Sequence, residues 1–112
     1  MVKPATRPLS QYSMLALQLL GQLIREGRLA KGFNTTDLAA RAGISRALLQ
    51  RIERGDVGCS IGACFEVAAL CGVALFEPDE SALAKRLSAH TEKLALLPKA
   101  IRRTKAEVHD DF

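Results

Sequence analysis

Four arginines lie between residues 34 and 55 of this chain, interspersed with amide and hydroxyl side chains. The guanidinium fork of an arginine matches the O6 and N7 acceptors of guanine, and a glutamine amide pairs with adenine. Hydroxyl and backbone N–H groups at helix N-termini hold phosphate oxygens. These residue types and their spacing therefore indicate a surface that contacts DNA.

The string TTDLAARAGISRALLQRIERG, residues 35–55, predicts two helices and a turn that would position these side chains. Gly43 supplies the positive φ that ends the first of these helices, and Ser45 is a good N-cap for the second. The apolar and small residues expected on the inner face are Leu38, Ala39, Ala42, Ile44, Leu49 and Ile52. This is the spacing of a helix-turn-helix, whose second helix lies in the major groove.

A recognition helix that begins at Ser45 would present one set of side chains to base edges. The residues expected to face outward are Arg46, Ala47, Gln50 and Arg51. Arg46 is the first candidate for a base contact and Arg51 the second. Ala47 could touch a thymine methyl group, and Gln50 could pair with adenine. Either arginine could instead contact phosphate or lie in solvent.

A second set of side chains is expected to bind the DNA backbone. Asn34, Thr35 and Ser45 lie near predicted helix N-termini, where their polar groups could hold phosphate oxygens. Arg54 and Arg41 are weaker candidates for the same contact.

Length and composition agree with a DNA-binding domain. The chain has 112 residues, about one domain, with 48% hydrophobic and 25% charged residues. Aromatic residues make up only 4% and there is no Trp, so the core should consist of aliphatic side chains, which favours helices. The net charge of +4 suits an anionic partner without establishing one.

The sequence gives little support for a metal site, a cofactor site or a catalytic site. Cys59, Cys64 and Cys71 show no metal-ligand spacing, and Cys64 and Cys71 fit a helical pattern as small hydrophobes. We therefore expect no metal, no cofactor and no catalytic residue. The odd cysteine count indicates that the protein resides in a reducing cytoplasm. A DNA-binding protein in that compartment is expected on the nucleoid. The longest apolar run, residues 14–20, is too short to span a bilayer.

The remaining sequence predicts an arm, three further helices and a tail. Residues 1–9 read as a flexible arm, residues 10–77 as the helix-turn-helix domain, 78–97 as a C-terminal helix, and 98–112 as a flexible tail. The first helix should begin near Ser10 or Ser13 and run to about Leu29. Its expected apolar stripe is Leu15, Leu19 or Leu20, Leu23 and Ile24.

The fourth helix should follow a Ser60 cap and end at Gly72. Its expected inward residues are Ile61, Cys64, Phe65, Ala68 and Cys71, with Val73, Leu75 and Phe76 closing the core. The fifth helix follows Pro78 and ends before Pro98. Its row Leu83, Leu87, His90, Leu94 and Leu97 has heptad spacing. This helix either packs back on its own domain or forms a dimer contact.

The strings LGQLIREGRLAKGFNTTDLAARAGIS, RIERGDVGCSIG and VAALCGVALF resemble the Xre/Cro-type helix-turn-helix family of phage and bacterial repressors. The resemblance implies an all-α, five-helix, lambda-repressor-like domain that binds a palindromic operator as a homodimer. It also implies a structural ion pair between Arg28 and Glu53, which occupy the family positions for it. The family often has a proline before its fourth helix, where this chain has Cys59.

The segment LPKAIRR and the acidic DDF end are similar to antitoxins encoded beside HipA-type kinase toxins. This resemblance implies a repressor that autoregulates its operon and neutralises the kinase, through the fifth helix and a tail anchored by Phe112. A stand-alone Xre-family regulator without a toxin partner is the alternative. A third possibility is a protein-interaction adaptor that has lost DNA binding.

Overall fold

A computed structural model describes residues 9–101. Its helices are α1 (Gln11–Ala30), α2 (Thr35–Ala42), α3 (Arg46–Arg54), α4 (Ile61–Leu70) and α5 (Glu80–Ala95), and the described residues contain no strand. The expected all-α, five-helix fold is confirmed. The chain divides into two units between Leu75 and Phe76. Most of the expected N-terminal arm, and the tail beyond Ile101 with Phe112, lie outside the described residues.

Each helix begins at a residue whose side chain caps it. The caps are Ser10, Asn34, Ser45, Ser60 and Asp79, and each accepts a hydrogen bond from the backbone N–H three residues later. These bonds satisfy amide groups that have no partner within the helix, and removing one cap costs about 1 kcal/mol. Because this signal is local, the expected starts of α2, α3 and α4 agree with the structure.

The core of the first unit consists of short aliphatic side chains. Its largest fully buried residues are Ile24, Leu38, Leu49 and Val67, one from each of the four helices. Ala39, Ile52, Ala68 and Cys71 complete the buried cluster. The helices therefore approach each other closely, as small side chains allow.

Two glycines set the closest of these approaches. A Cβ atom at Gly21 would lie 2.5 Å from the carbonyl oxygen of Glu53, and one at Gly27 would overlap the carbonyl oxygen of Cys71. Any larger residue would separate α1 from the ends of α3 and α4. These glycines lower helix propensity, yet they fix where α3 lies against α1.

The expected apolar stripe of α1 is wrong at Leu15 and Leu23, and of the alternatives Leu19 and Leu20 it is Leu20 that packs against the core. Leu15, Leu19 and Leu23 are exposed, by 53%, 56% and 38%, whereas Ile24 is fully buried. The buried residues of α1 are Gly21, Ile24 and Arg28. The sequence offered apolar residues on both sides of α1, and the close contact at Gly21 selects the side opposite to Leu19.

The expected inward face of α4 is also wrong in part. Ile61 and Phe65 are exposed by 74% and 38%, whereas Val67 is fully buried beside Ala68. Phe76 does not close the core, because its side chain is 68% exposed and its backbone has a φ of 93°. The fully buried row of α4 is shifted toward its C-terminal end.

In the second unit, α5 ends at Ala95, two residues before the expected end, and none of its residues is buried. Arg86 donates hydrogen bonds to the Phe76 carbonyl at 3.4 Å and to Glu77 Oε2 at 3.0 Å. An apolar groove of about 360 Å³ is lined by Phe76, Leu83, Arg86, Leu87 and His90. Part of the expected heptad row therefore lines an open groove.

Candidate nucleic-acid interface

The turn between α2 and α3 is closed by backbone hydrogen bonds around Gly43. Gly43 adopts a left-handed conformation with φ 70°, which a side chain would disfavour. The Ile44 N–H donates to the Ala39 carbonyl at 3.0 Å, and the Gly43 N–H donates to the Ala40 carbonyl at 3.2 Å. These bonds satisfy the carbonyls at the end of α2 and fix the direction in which the chain enters α3.

Burial on one side of α3 determines which side chains face outward. Leu49 and Ile52 are buried in the core, and the Ser45 hydroxyl accepts a hydrogen bond from the Leu48 N–H at 3.0 Å. The exposed residues of α3 are Arg46, Ala47, Gln50 and Arg54. Three of the four side chains expected to face the bases thus lie on the exposed side, and Arg51 is half-buried.

Arg46 is held at the N-terminal end of both helices of the motif. Its Nε donates to Thr35 Oγ1 at 3.1 Å, which ties the first residue of α3 to the first residue of α2. Within residues 9–101, neither terminal nitrogen of Arg46 donates another hydrogen bond. A guanidinium fixed through Nε in this way keeps its outer N–H groups available for an acceptor on DNA.

Arg51 is directed toward the loop after α3 by an acidic partner. Its Nε donates to Asp56 Oδ2 at 3.1 Å, and Arg54 Nη2 lies 3.8 Å from the same oxygen. Sequence reasoning did not identify Asp56, although a carboxylate just past the glycine that ends α3 is within reach of both arginines. The pairing lowers the net positive charge at this end of α3.

Arg28 and Glu53 form a bidentate ion pair beneath the recognition helix. Arg28 Nε and Nη2 donate to the two carboxylate oxygens at 2.7 and 3.1 Å, and Nη1 donates to the Phe33 carbonyl at 3.1 Å. Each side chain of the pair is only 10% exposed. The hydrogen bonds to Glu53 raise the pKa of Arg28 above its ordinary value, so the guanidinium stays charged.

A polar groove of about 380 Å³ adjoins this ion pair. It is lined by Arg25, Thr35, Gln50, Glu53 and Arg54, from α1, α2 and α3. Arg25 was missed in the sequence because it lies outside the helix-turn-helix string. Two arginines, a hydroxyl and an amide converge here, which are the groups that hold phosphate oxygens.

The other backbone candidates lie at or near the ends of α2. Asn34 is exposed and accepts a hydrogen bond from the Asp37 N–H at 2.7 Å, so its side-chain oxygen is engaged as a cap. Arg41 stacks over the Phe33 ring, 4.7 Å from its centre. Its charge is therefore fixed beside the turn that precedes α2.

Residues 9–101 contain no group of three or more His, Cys, Asp or Glu side chains that could hold a metal ion. No helix among them is sufficiently long and apolar to traverse a bilayer. Every buried side-chain nitrogen or oxygen within this part of the chain has a hydrogen-bond partner.

No curated protein matches the chain, whereas one protein family does. The family described as "Helix-turn-helix domain" matches residues 19–84, which is more than half of the chain and includes α2, the turn and α3. The protein therefore belongs to the helix-turn-helix domain family of DNA-binding proteins.

Proposed function

We propose that the protein is a sequence-specific transcriptional repressor that binds a palindromic operator as a homodimer. The observation that carries this proposal is the exposed side of α3, which is fixed from beneath by the Arg28–Glu53 pair and presents Arg46 at its N-terminal end. Each subunit would insert α3 into one major groove, with half-sites about 34 Å apart.

Within this proposal the side chains divide into two roles. Arg46 reads guanine, with Ala47 and Gln50 contacting neighbouring bases. Thr35, Ser45, Asn34 and Arg54 contact the phosphate backbone, and Arg51 contributes to base reading when its bond to Asp56 is exchanged for one to DNA.

The test begins with selection of bound sequences from a random duplex library, followed by titration of the selected site. Arg46→Ala should weaken binding by about 1–3 kcal/mol and relax the preference at one base pair. Arg54→Ala should weaken all sequences alike and lower the salt slope by about 1. Lys85→Ala, an exposed charge on α5, is the control for net charge.

Two results would contradict the proposal. Selection that enriches no sequence would remove sequence-specific binding. Equal losses on every sequence for Arg46→Ala and Arg54→Ala would leave a DNA-binding protein but abolish the division between base and phosphate contacts.

We further propose that this repressor is the antitoxin of a HipA-type kinase, with α5 and the following residues as the contact surface. The similarity of LPKAIRR and the DDF end to such antitoxins supports this proposal, and so does the apolar groove beside Leu83 and Leu87. A stand-alone regulator would need no partner at this groove.

Co-expression with a HipA-type kinase encoded beside the gene tests the antitoxin role. The Arg46→Ala variant should still relieve growth arrest, because neutralisation then rests on protein contact and not on repression. Leu87→Lys should abolish relief, whereas Leu29→Lys, at a leucine of α1 that is 59% exposed, should not. A chain that ends at Leu97 shows whether the tail is needed. Absence of any such gene, or arrest that persists with the unaltered protein, favours the stand-alone regulator.

A further inference from the structure

The side of α1 that faces away from the core carries a continuous row of exposed apolar residues. Tyr12, Leu15, Leu19 and Leu23 are exposed by 82%, 53%, 56% and 38%. Successive residues of a helix turn by about 100°, so these four share one face, and Leu19 lies opposite to Arg28. The face extends from Tyr12 to Leu23, a rise of about 16 Å along the helix axis. It lies in the first unit, and its N-terminal part precedes the family match at residue 19.

The charge pattern of this face limits what can cover it. No residue from Leu9 to Ile24 is charged, although 25% of the chain is. The exposed polar neighbours are serines and glutamines, such as Gln18 and Gln22. A nucleic acid or a strongly charged protein would gain no electrostatic attraction here. An identical uncharged face meets no like-charge repulsion, so a second copy of the same helix is the partner that fits.

The first charges after this segment determine the relative direction of the two helices. Glu26 lies on the same side of α1 as Leu19 and Leu23, because it is seven residues after Leu19. Parallel helices would bring the two Glu26 carboxylates together at the contact. Antiparallel helices centred between Leu15 and Leu19 would separate them by roughly 25 Å, at 1.5 Å per residue. Tyr12 of one copy would then face Leu23 of the other.

We infer that α1 forms the homodimer interface, as an antiparallel pair of helices that buries Tyr12, Leu15, Leu19 and Leu23. This surface differs from the heptad row of α5, for which a dimer contact was one of the two alternatives that the sequence left open. The inference does not depend on operator binding, since self-association is measured without DNA.

Light scattering during size-exclusion chromatography tests the inference. The full chain should elute as a dimer, at twice its mass of 12.1 kDa. Leu19→Lys should be monomeric, with the dissociation constant raised at least tenfold, because it places two positive charges at the centre of the contact. Leu19→Glu should behave likewise. An equimolar mixture of these variants should recover a heterodimer. Since Leu19 is exposed in the single chain, far-UV circular dichroism should show both variants folded.

Two matched controls decide between surfaces. Leu29→Lys changes a residue of α1 that is 59% exposed but lies about 80° around the helix from Leu19 and beyond the end of the row, and it should leave the dimer intact. Leu87→Lys, on α5, should also leave it intact. Three results would overturn the inference. The full chain could be monomeric at 100 µM, or the Leu19→Lys variant could dimerise as tightly as the unaltered chain. The third is a dimer that Leu87→Lys dissociates and Leu19→Lys does not.

Discussion

Arg28 and Glu53 connect the last turn of α1 to the last turn of α3 through two parallel hydrogen bonds of 2.7 and 3.1 Å, with both side chains 10% exposed. The third donor of Arg28 reaches the Phe33 carbonyl. A buried pair of this kind gains Coulomb energy and loses hydration, so its main effect is to specify geometry. Here the geometry is the position of the recognition helix.

Removing one member of this pair should be costly. Arg28→Met leaves the Glu53 carboxylate buried without a cation, and we expect the free energy of unfolding to fall by about 3–5 kcal/mol. The double variant Arg28→Met, Glu53→Met should lose less than the sum of the single losses. Urea titration measures all three. Arg86→Met, which breaks the exposed Arg86–Glu77 pair at 3.0 Å, is the control and should cost at most about 1 kcal/mol. Similar losses for Arg28→Met and Arg86→Met would contradict this account.

Replacing Gly21 with alanine should destabilise the protein although alanine favours a helix. The added Cβ would lie 2.5 Å from the Glu53 carbonyl and 2.7 Å from that of Ile52. We expect a loss of about 1–3 kcal/mol, as in other overpacked sites. Gly62→Ala in α4 is the matched control, since its Cβ would meet only Ser60 Oγ at 3.8 Å. That variant should gain roughly 0.5–1 kcal/mol. A stabilising Gly21→Ala in the same thermal unfolding experiment would disprove the close contact.

Neutralising Asp56 should strengthen binding to DNA of any sequence. Asp56 is within 3.8 Å of both Arg51 and Arg54, and Asp56→Asn removes the charge that opposes the phosphate backbone. We expect a lower dissociation constant on non-specific duplex and a salt slope steeper by about 1. Glu92→Gln makes the same charge change on α5 and should have a smaller effect. Weaker non-specific binding by Asp56→Asn would show that Asp56 positions the arginines for DNA.

Two thiols should make stability fall at alkaline pH. Burial raises the pKa of Cys71 above 9.0, with a smaller contribution from the Glu53 charge, and burial likewise raises the pKa of Cys64. The folded state therefore favours the neutral thiols. Their contribution is complete below the unfolded pKa and is lost as pH rises through the folded one.

The measurement is urea unfolding at pH 7, 8.5 and 10. Between its unfolded and its folded pKa, each protected thiol should add a decline of at most about 1.4 kcal/mol per pH unit. Cys71→Ala should flatten this decline even though it lowers stability at pH 7. If Cys71→Ala loses stability with pH as steeply as the unaltered chain, Cys71 does not contribute to the alkaline decline.

Local signals explain how much of the fold the sequence predicts. Ser45 caps α3 and Gly43 ends α2 through bonds to residues at most five positions away, so the pattern around them is sufficient. Leu19 shows the limit of such patterns. The helix α1 has apolar residues of its own on all sides, and only the tertiary contact at Gly21 decides which of them are buried.

The candidate site shows the same distinction. Arg46 and Gln50 are exposed because Leu49 and Ile52 are buried, a relationship that helical periodicity predicts. The Arg28–Glu53 pair joins residues 25 positions apart, and it was expected only from the resemblance to repressors. Arg25 was missed because its place beside Thr35 depends on how α1 crosses the motif.

The hydrogen bond from Arg28 to the Phe33 carbonyl makes the turn between α1 and α2 part of the same support. Phe33 also carries the stacked guanidinium of Arg41. A substitution that shifts this turn would move Arg28, and through Glu53 it would tilt α3 against the groove. If α3 reads DNA as we propose, the preferred DNA sequence can therefore change during evolution through substitutions at this turn, while the exposed residues of α3 stay the same.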